Sequence, residues 1–591
     1  NDLFPSIDAW KKEKDEMVRM MGTIPELRKN WTASAAGIAA LYECTDAISL
    51  KARRLGAYAM NLQDMELGNS TYRSMSGELQ SIFTDYGVTL SFRNADLLKM
   101  DEQILRGYLS SEPRLRPFAF TISEVLRARP HILPEEQAKV RSLAGLYAGS
   151  AQEAADLLNN VEIPSPEVTL SNGTTAQLNM AAYFRLRQSK NAADRELVVK
   201  TFWENRKKFE KTLAALYDAG MKEHLFDTRV SKFGTCLETR LFDDNIDTLM
   251  YHQLIRSVRS RLAPLHRFYA VKKNLLKLDT MRYSDVYASA VPSITKLYPF
   301  DEARTIILGA LHPLGNDYCT MVDKAFADRW IDIYPNKEKQ SGAYSRSVYG
   351  VHPYIKMNYD GSYDNVSTLS HELGHAMHST LANAAQPFSN SGYPTFLAEI
   401  ASTFNEHLLM DYFLANEKDD RYKLFLLDKY LDQVRGSIYQ QTMFAEFELA
   451  MHERVEQGQS LTADWLDKTY LQILRDYYGH DNGTMIVGDQ YQNAWSSVPH
   501  FFYNYYVFQY STGMIASMAL SDAVLHGTER DRERYLTLLK SGGSDFPLTL
   551  LKSAGVDMLS PEPAAAALRR FDMLVGEMEK LVVKLNAGKK M

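Results

Sequence analysis

The chain has 591 residues, a formal net charge of −6 and 45% hydrophobic residues, a composition typical of a folded globular protein. The mild acidity argues against a surface for nucleic acid or anionic membranes, because either needs a clustered basic excess. No apolar run approaches the ~20 residues that span a bilayer, and the three cysteines are too scattered for a disulfide framework. We expect no nucleic-acid or membrane partner and a cytoplasmic location. A removed leader is the alternative, because the chain does not begin with Met.

The first part of the chain is predicted to be helical. Apolar residues recur at three-to-four spacing in residues 24–63 and again in residues 192–226. Between these helices, Asn172-Gly173 separates two short alternating runs, which predicts a small β-hairpin. We expect a helical N-terminal domain over residues 1–190 and a mostly α catalytic domain over residues 191–591.

The second part contains one further strand pattern and more helices. Residues 352–361 alternate between apolar and polar side chains, which predicts a strand. A long helix is predicted over residues 422–457, ending at Gly458. The hydroxyl of Thr462 is expected to cap the helix that follows.

The stretch STLSHELGHAMHST, residues 367–380, carries a pattern of metal-site spacing. Residues four apart on a helix share one face, so His371 and His375 aim two imidazoles at one point. Glu372 lies about 100° further round the helix and can hold a water beside the metal. Zinc lowers the pKa of such a water toward about 7, and the carboxylate can take its proton. The pattern predicts two ligands and an adjacent base, with chance as the alternative for so short a match.

The surroundings of the pattern favour a real site. An apolar stripe from Val366 to Met377 lies on another face of the same helix, and Gly374 allows close approach of a second backbone. A metzincin needs Gly at position 378 and His at position 381, where this chain has His378 and Leu381. That class is therefore excluded, and the third ligand has to come from elsewhere in the chain.

A Glu on a following helix is the other common third ligand, and the next one is Glu399. Glu399 lies on a polar stripe of a helix that is apolar on another side, so we predict it as the third ligand rather than a surface carboxylate. Glu406 is two turns further on the same face. It is expected to orient a ligand histidine, with an ordinary helix salt bridge as the alternative.

His378 lies one turn past His375 and is the third histidine of the stretch. One straight helix rarely delivers three ligands to a tetrahedral ion, so we expect a supporting or structural role for it. The ligand set suits one Zn²⁺ per chain, although nitrogen and oxygen ligands also admit cobalt or manganese.

These segments together resemble a known family. TLSHELGHAMHS, FLAEIASTFNE, the upstream SGAYSRSVYGVHPYIKMNYDG and the downstream VPHFFYNYYVFQYSTGMIAS are similar to the thimet oligopeptidase-like zinc peptidases, most closely the oligoendopeptidase F branch. The resemblance is strong over residues 341–517 and diffuse before them. It implies a mainly α, two-lobed helical zincin of the gluzincin type. A deep substrate channel and a small β element near the active site are expected with it.

The resemblance also implies an activity and its residues. The family cleaves bonds inside short unstructured peptides, with His371, His375 and Glu399 as ligands and Glu372 as the base. A His and tyrosines of the segment His500–Tyr510 would donate hydrogen bonds to the oxyanion of the transition state. The alternative is that the aromatic residues of this segment only pack in the core.

Within this segment His500, Tyr503 and Tyr510 fall near one face if it is helical. Tyr503 and Tyr510 keep the expected seven-residue spacing. Where the related branch has a further Tyr between them, this chain has Val507, with Tyr506 adjacent. Which phenol acts therefore stays open.

The resemblance further suggests that the SGAY segment and the strand near Tyr354 line the cleft and pair with the substrate backbone. Gly342 and Ala343 are small enough for close approach. His352 is expected either to touch substrate or to have a structural role.

Two alternatives to an endopeptidase stay open. One is a helical zinc carboxypeptidase or dipeptidase, and the other is a metal-stabilised protein that binds peptides without cleaving them. Glu372 argues against the second, since metal binding alone has no need of that base. The sequence gives no indication of the oligomeric state.

Overall fold

The computed structural model describes residues 2–292 and 294–587, and it is mainly helical with five short strands in that part. The predicted mainly α class is confirmed. The chain divides into two compact units, each made of three segments. Unit 1 comprises the residues up to Ile132, Lys296–Tyr412 and Leu520–Gly555, and unit 2 comprises Leu133–Thr295, Phe413–Ala519 and the residues from Val556 onward. The domain boundary expected at residue 190 stays a prediction.

Unit 1 contains the helix with the histidine pattern and the helix with Glu399. Its N-terminal helices enclose a core of buried apolar side chains, among them Trp10, Ile38 and Leu115. The helices are α1 (Ile7–Met21), α2 (Ile24–Arg28), α3 (Ala35–Met65), α4 (Ser70–Leu90), α5 (Phe92–Lys99), α6 (Glu102–Ser111), α7 (Ala119–Arg127), α16 (Phe300–Leu311), α17 (Asn316–Ala327), α18 (Tyr363–Ala385), α19 (Phe388–Ser391), α20 (Thr395–Asn416, as far as Tyr412), α25 (Glu529–Lys540) and α26 (Pro547–Ser553).

Unit 2 contains the aromatic segment around His500. Its C-terminal helix packs against two others, α15 and α21. The helices are α8 (Glu135–Ala144), α9 (Ser150–Leu157), α10 (Met180–Leu186), α11 (Ala192–Lys207), α12 (Glu210–Val230), α13 (Cys236–Phe242), α14 (Thr248–Arg259), α15 (Ala263–Leu275), α21 (Asp420–Val434), α22 (Gln441–Glu456), α23 (Ala463–Tyr478), α24 (Phe508–His526, as far as Ala519) and α27 (Glu562–Ala587).

The strands form two small sheets. In unit 2, β1 (Glu167–Thr169) and β2 (Thr175–Gln177) make the predicted hairpin, and its turn places Gly173 at φ +80°. In unit 1, β3 (Ile331–Asp332), β4 (Tyr344–Arg346) and β5 (Tyr354–Lys356) form a sheet in the order β3-β5-β4. Strand β5 pairs in parallel with β3 and antiparallel with β4, and the sheet packs against α18.

The long helix predicted over residues 422–457 is interrupted in the structure. α21 and α22 are separated by a π-helical turn, Arg435–Gln440, a rare feature that apolar spacing does not reveal. The predicted end is confirmed, because Gly458 follows at φ +78°. Thr462 also caps α23 as expected, and its hydroxyl accepts from the Trp465 N–H at 3.4 Å.

α18 and α20 lie unusually close together at Gly374. A Cβ built on this glycine would be 2.5 Å from the carbonyl oxygen of Ala401 and 2.7 Å from Cα of Ser402. One turn away, the buried Asn405 side chain donates to the Ser370 carbonyl at 3.0 Å. The predicted role of Gly374 in close backbone approach is confirmed.

In the described part of the chain, none of the helices has the length and apolar character that a membrane crossing requires.

Replacing Gly374 with Ala is expected to lower the free energy of unfolding by about 1–3 kcal/mol, because the new methyl overlaps the α20 backbone. The same change at Gly56, inside α3, meets nothing within 4 Å. It is expected to raise the free energy of unfolding by about 0.5–1 kcal/mol, as Ala normally does in a helix. Urea unfolding of both variants measures the change in the free energy of unfolding, which should be negative for Gly374→Ala and positive for Gly56→Ala. A stabilised Gly374→Ala variant contradicts the close contact.

Candidate functional site

The three predicted metal ligands lie together in unit 1. His371, His375 and Glu399 each offer a donor atom, and these atoms lie within 4.8 Å of one another. Glu399 Oε2 is 3.3 Å from His371 Nε2 and 3.5 Å from His375 Nε2. The i,i+4 spacing on α18 supplies the two imidazoles, and α20 brings the carboxylate to them. The side chain of Glu399 is half exposed, and Ser402 Oγ donates to its Oε2 at 3.0 Å.

These residues fit a zinc ion. Two ligand atoms about 2.0–2.1 Å from a tetrahedral zinc lie about 3.3 Å apart, close to the separations observed here. Two imidazoles and a carboxylate leave a fourth position open, which distinguishes catalytic from structural zinc sites.

Electrostatic interactions within the cluster shift the pKa values of His371 and Glu399. Burial lowers the pKa of His371, but hydrogen bonds to Glu399 and Glu406 outweigh it and raise that pKa to about 10. The same contacts with His371, and then those with His375, hold the pKa of Glu399 well below its ordinary value. The cluster therefore keeps an anionic carboxylate next to its imidazoles, as a cation site requires.

Glu406 contacts one of the predicted ligand histidines. Its Oε1 is 2.5 Å from Nδ1 of His371, so this ring nitrogen carries the proton and Nε2 faces the cluster. A carboxylate on the far nitrogen of a ligand histidine fixes the ring and makes it a stronger donor. The contact agrees with the expected orienting role of Glu406, which stays a prediction.

Glu372 is buried beside the ligands, with 6% of its surface exposed. Burial raises the pKa of its carboxyl group, and the two ligand imidazoles oppose this shift. Among the described residues no group donates to its buried Oε2. Such an atom is costly to bury, so it indicates a place for a water or a substrate group.

The His378 ring packs against an aromatic side chain. Its ring stacks on Tyr393 at 3.6 Å with 6° between the planes, and both ring nitrogens are buried without a hydrogen-bond partner among the described residues. Burial lowers its pKa to about 3. These contacts favour packing over any role as a ligand.

The SGAY segment leads into an edge strand of the unit 1 sheet. β4 is at the edge, whereas β5, which contains Tyr354, has β3 and β4 on its two sides. The strand that contains Tyr354 therefore has no free edge with which to pair with a substrate backbone, whereas β4 has one. Gly342 adopts φ +76°, and a Cβ there would meet nothing within 4 Å. Open space therefore lies beside Gly342, and the substrate-binding role of Gly342 and Ala343 stays a prediction.

His352 has structural contacts. Its ring stacks on Trp330 with centroids 5.1 Å apart, and its Nε2 is 3.4 Å from a carboxylate oxygen of Asp2. Of the two roles left open by the sequence, these contacts favour the structural one.

The predicted oxyanion donors form a second cluster, in unit 2, which we call the tyrosine cluster: His500, Tyr503, Tyr506 and Tyr510. The His500 ring lies 5.5, 6.1 and 6.3 Å from the rings of Tyr503, Tyr506 and Tyr510. Tyr503 is 43% exposed and Tyr510 39%, so both phenols are accessible to a substrate. Burial lowers the pKa of His500, so its ring is neutral at pH 7.

The tyrosine cluster does not lie on one helix, contrary to the expectation from its spacing. Pro499–Tyr503 is a 3₁₀ turn and α24 begins only at Phe508. Between them Asn504 and Tyr505 adopt φ +48° and +53°, a conformation that costs most side chains of order 1–3 kcal/mol. The surrounding structure has to stabilise this bend.

Three side chains anchor the bend, and two of them, Glu448 and His452, are fully buried. Glu448 Oε1 accepts from the Tyr505 N–H at 2.5 Å, and the His452 ring stacks on Tyr505 at 4.2 Å. His224 Nδ1 lies 3.1 Å from His452 Nε2, and its Nε2 lies 3.3 Å from the Phe502 carbonyl. Sequence analysis missed this group. The sequence feature that could have indicated it is the spacing of Glu448 and His452, which lie four residues apart on a predicted helix with an apolar face.

The anchor residues are uncharged at neutral pH. Burial raises the pKa of Glu448 to about 8 and lowers the pKa of His224 to about 4 and of His452 to about 3.

Removal of Glu406 is expected to weaken zinc binding by about 10–100-fold, because His371 loses the carboxylate that orients it. Glu399→Ala is expected to weaken it further, since a ligand is lost. A competition titration with a chelator measures both affinities. Glu302→Ala, at an exposed position of α16, is the matched control and should bind as the wild type does. Equal affinity of Glu406→Ala and wild type contradicts the orienting contact.

Glu448→Gln is expected to become more stable relative to the wild type as the pH rises from 5 to 8. Because the pKa of Glu448 is about 8 in the folded chain and about 4.3 in an unfolded one, the folded wild type holds an extra proton in this range. Its stability therefore falls with rising pH, by on the order of a few kcal/mol, and the Gln amide has no such dependence. Urea unfolding at several pH values measures the difference.

In contrast, Glu448→Ala leaves the Tyr505 N–H without an acceptor and is expected to be destabilised at every pH. If the free energies of unfolding of Glu448→Gln and the wild type differ by the same amount at every pH, the Glu448 carboxyl group is not neutral in the folded chain.

Known proteins match the chain along almost its whole length. A model of peptidase family M3 matches residues 185–570, and a model of oligopeptidase F matches residues 96–164. Oligopeptidase PepF of Bacillus subtilis is 33% identical over 587 residues, covering 99% of this chain and 87% of that protein. Group B oligopeptidase PepB of Streptococcus agalactiae is 31% identical, covering 98% and 96%.

Solved structures agree with these relatives. A peptidase from Chlamydophila abortus superimposes with a TM-score of 0.92 at 31% identity, covering 98% of this chain and 97% of that one. Oligoendopeptidase-F from Enterococcus faecium gives 0.74 at 28% identity, covering 97% and 100%. The resemblance found in the sequence motifs is confirmed, and the chain belongs to peptidase family M3, in its oligopeptidase F branch.

Proposed function

We propose that the chain is a zinc-dependent endopeptidase that hydrolyses internal bonds of short, unstructured peptides, with Glu372 as the general base. The observation that supports this most directly is the buried Glu372 Oε2, which has no donor in the described part of the chain. Its carboxylate interacts electrostatically with His371, His375 and Glu399, whose donor atoms converge. Relatives named as oligopeptidases and oligoendopeptidases support the peptide class. A deep channel that excludes folded proteins is part of the proposal.

The metal cluster supplies the first half of the chemistry. His371, His375 and Glu399 would hold a divalent metal ion, which would supply Lewis-acid chemistry by lowering the pKa of a water toward about 7 and polarising the scissile carbonyl. Glu372 accepts a proton from the attacking water and passes it to the leaving amine. Its burial serves this role, because a raised pKa lets a carboxylate hold the proton between the two steps.

The tyrosine cluster is proposed to stabilise the oxyanion. The neutral ring of His500 offers one N–H, and the exposed phenols of Tyr503 and Tyr510 offer hydroxyl groups. Such donors act by meeting negative charge as it develops in the transition state. The bend anchored by Glu448 holds them in a fixed arrangement before substrate arrives.

The test is hydrolysis of internally quenched peptides of graded length, with free and with blocked ends, by zinc-loaded protein. Internal cleavage that tolerates blocked ends is expected. Glu372→Gln should lower kcat by about 10²–10⁴-fold while the zinc content is unchanged, and Glu302→Gln serves as the control. Unchanged activity in Glu372→Gln overturns the assignment of the base.

The same assay separates the alternatives. Loss of activity on blocking one terminus indicates a carboxypeptidase or dipeptidase. Binding without turnover indicates a peptide-binding protein. Phenylalanine substitutions at positions 503, 506 and 510, taken one at a time, rank the phenols. The one that donates to the oxyanion should lose about 10²–10³-fold in kcat.

A further inference from the structure

Unit 2 contains a cavity of about 400 Å³ with His500 on its wall. Eight other aromatic rings line it, among them Tyr183, Phe444 and Tyr491. A concave, mostly apolar space of this size with a few polar groups is the usual form of a small-ligand site. The metal cluster of unit 1 contributes no residue to this lining.

Two π-helical turns border the cavity. Leu158–Glu162 contributes Asn159 and Asn160, and Arg435–Gln440 contributes Gln440. A π-turn inserts a residue into a helix and re-aims the side chains around it, and such turns are concentrated at functional sites. Two of them at one cavity indicate a space shaped for a ligand.

Gln440 has an unused donor at this wall. Its Oε1 accepts from Nη1 of Arg435 at 2.8 Å, and Arg435 is itself held by Asp432, whose Oδ1 accepts from Nε at 3.0 Å. This contact fixes the amide so that its NH₂ group is the free end. In the described part of the chain no hydrogen bond from this NH₂ is recorded. A peptide carbonyl is the kind of group it can serve.

The charges on the lining do not favour a charged ligand. Arg187 stacks on Tyr287, with its guanidinium carbon 3.5 Å from the ring centre, and Asp156 contributes a carboxylate to the same cavity. The two formal charges cancel, and the remaining wall is largely aromatic. A bulky, uncharged side chain is therefore the occupant that buries most apolar surface at least electrostatic cost.

The position of His500 connects this cavity to catalysis. The same ring lines the cavity and lies 5.5–6.3 Å from the other rings of the tyrosine cluster. We propose that the cavity is the subsite that binds a bulky apolar residue of the peptide, flanking the bond whose carbonyl oxygen His500 addresses. This assignment rests on the proposed peptidase function, and it makes the cavity the main determinant of side-chain preference.

The test compares blocked, quenched peptides that carry Phe, Leu, Ala or Asp at each position flanking one cleavage site, with products identified by mass. At one of these positions kcat/KM should be at least ten-fold higher for Phe than for Ala, and lowest for Asp. Ser497→Phe places a ring in the cavity from its wall. It should bring the ratio of kcat/KM for the Phe peptide to kcat/KM for the Ala peptide (the Phe/Ala ratio) close to one. Ser460→Phe, exposed in unit 2, is the matched control and should keep the wild-type ratio.

A second variant covers the case in which Ser497→Phe does not fold, as judged by circular dichroism. Phe184→Ala removes a half-exposed ring from the lining and should also reduce the Phe/Ala ratio, by several-fold. Equal kcat/KM for Phe and Ala peptides in the wild type overturns the subsite. The subsite is also overturned if the Phe/Ala ratio is the same in both variants as in the wild type.

Binding separates the subsite from the catalytic proposal. Calorimetric titration of Glu372→Gln with the uncleaved peptides should give at least ten-fold tighter Kd for the Phe peptide than for the Ala peptide. Adding Ser497→Phe to that variant should remove the difference. If the wild type cleaves no peptide but the binding preference is present, the peptidase function is overturned and the subsite stands. If the wild type cleaves peptides but shows no preference for Phe in cleavage or binding, the subsite is overturned and the peptidase function stands.

Discussion

The close contact between α18 and α20 at Gly374 is the constraint on which the cluster of His371, His375 and Glu399 depends. Two imidazoles follow from a single helix, but the third donor has to cross from another helix to within 3.3–3.5 Å. That distance is reached only because no Cβ separates Gly374 from the Ala401 carbonyl, and because Asn405 holds the backbones in register. A site of this kind needs its supporting contacts as much as its ligands.

Most of the metal cluster could be predicted because helical geometry is regular. The spacing of His371 and His375 guarantees a shared face, and the polar stripe on α20 singles out Glu399 and Glu406 within an otherwise apolar helix. The role of Gly374 followed from its lack of a side chain. Short-range rules also predicted the hairpin at Asn172-Gly173, since a turn of that type depends on very few residues.

The tyrosine cluster was harder to predict because its geometry depends on residues distant in sequence. Spacing suggested a helix for the segment after His500, but the left-handed pair Asn504 and Tyr505 interrupts it. That pair is held by Glu448, His452 and His224, which come from other helices of unit 2. The π-helical turns beside the cavity escape prediction for a similar reason, because nothing in apolar periodicity distinguishes one inserted residue.

The interleaved segments of the two units affect how the chain folds during synthesis. Unit 1 draws on residues up to Gly555, and unit 2 begins at Leu133 and continues past Val556. Neither unit can be complete on the ribosome until nearly the whole chain has emerged, which implies many contacts of large sequence separation and slow folding. Until then the apolar faces of the N-terminal helices lack part of their cover. A truncation from either end that reaches into residues 133–555 therefore removes residues from both units.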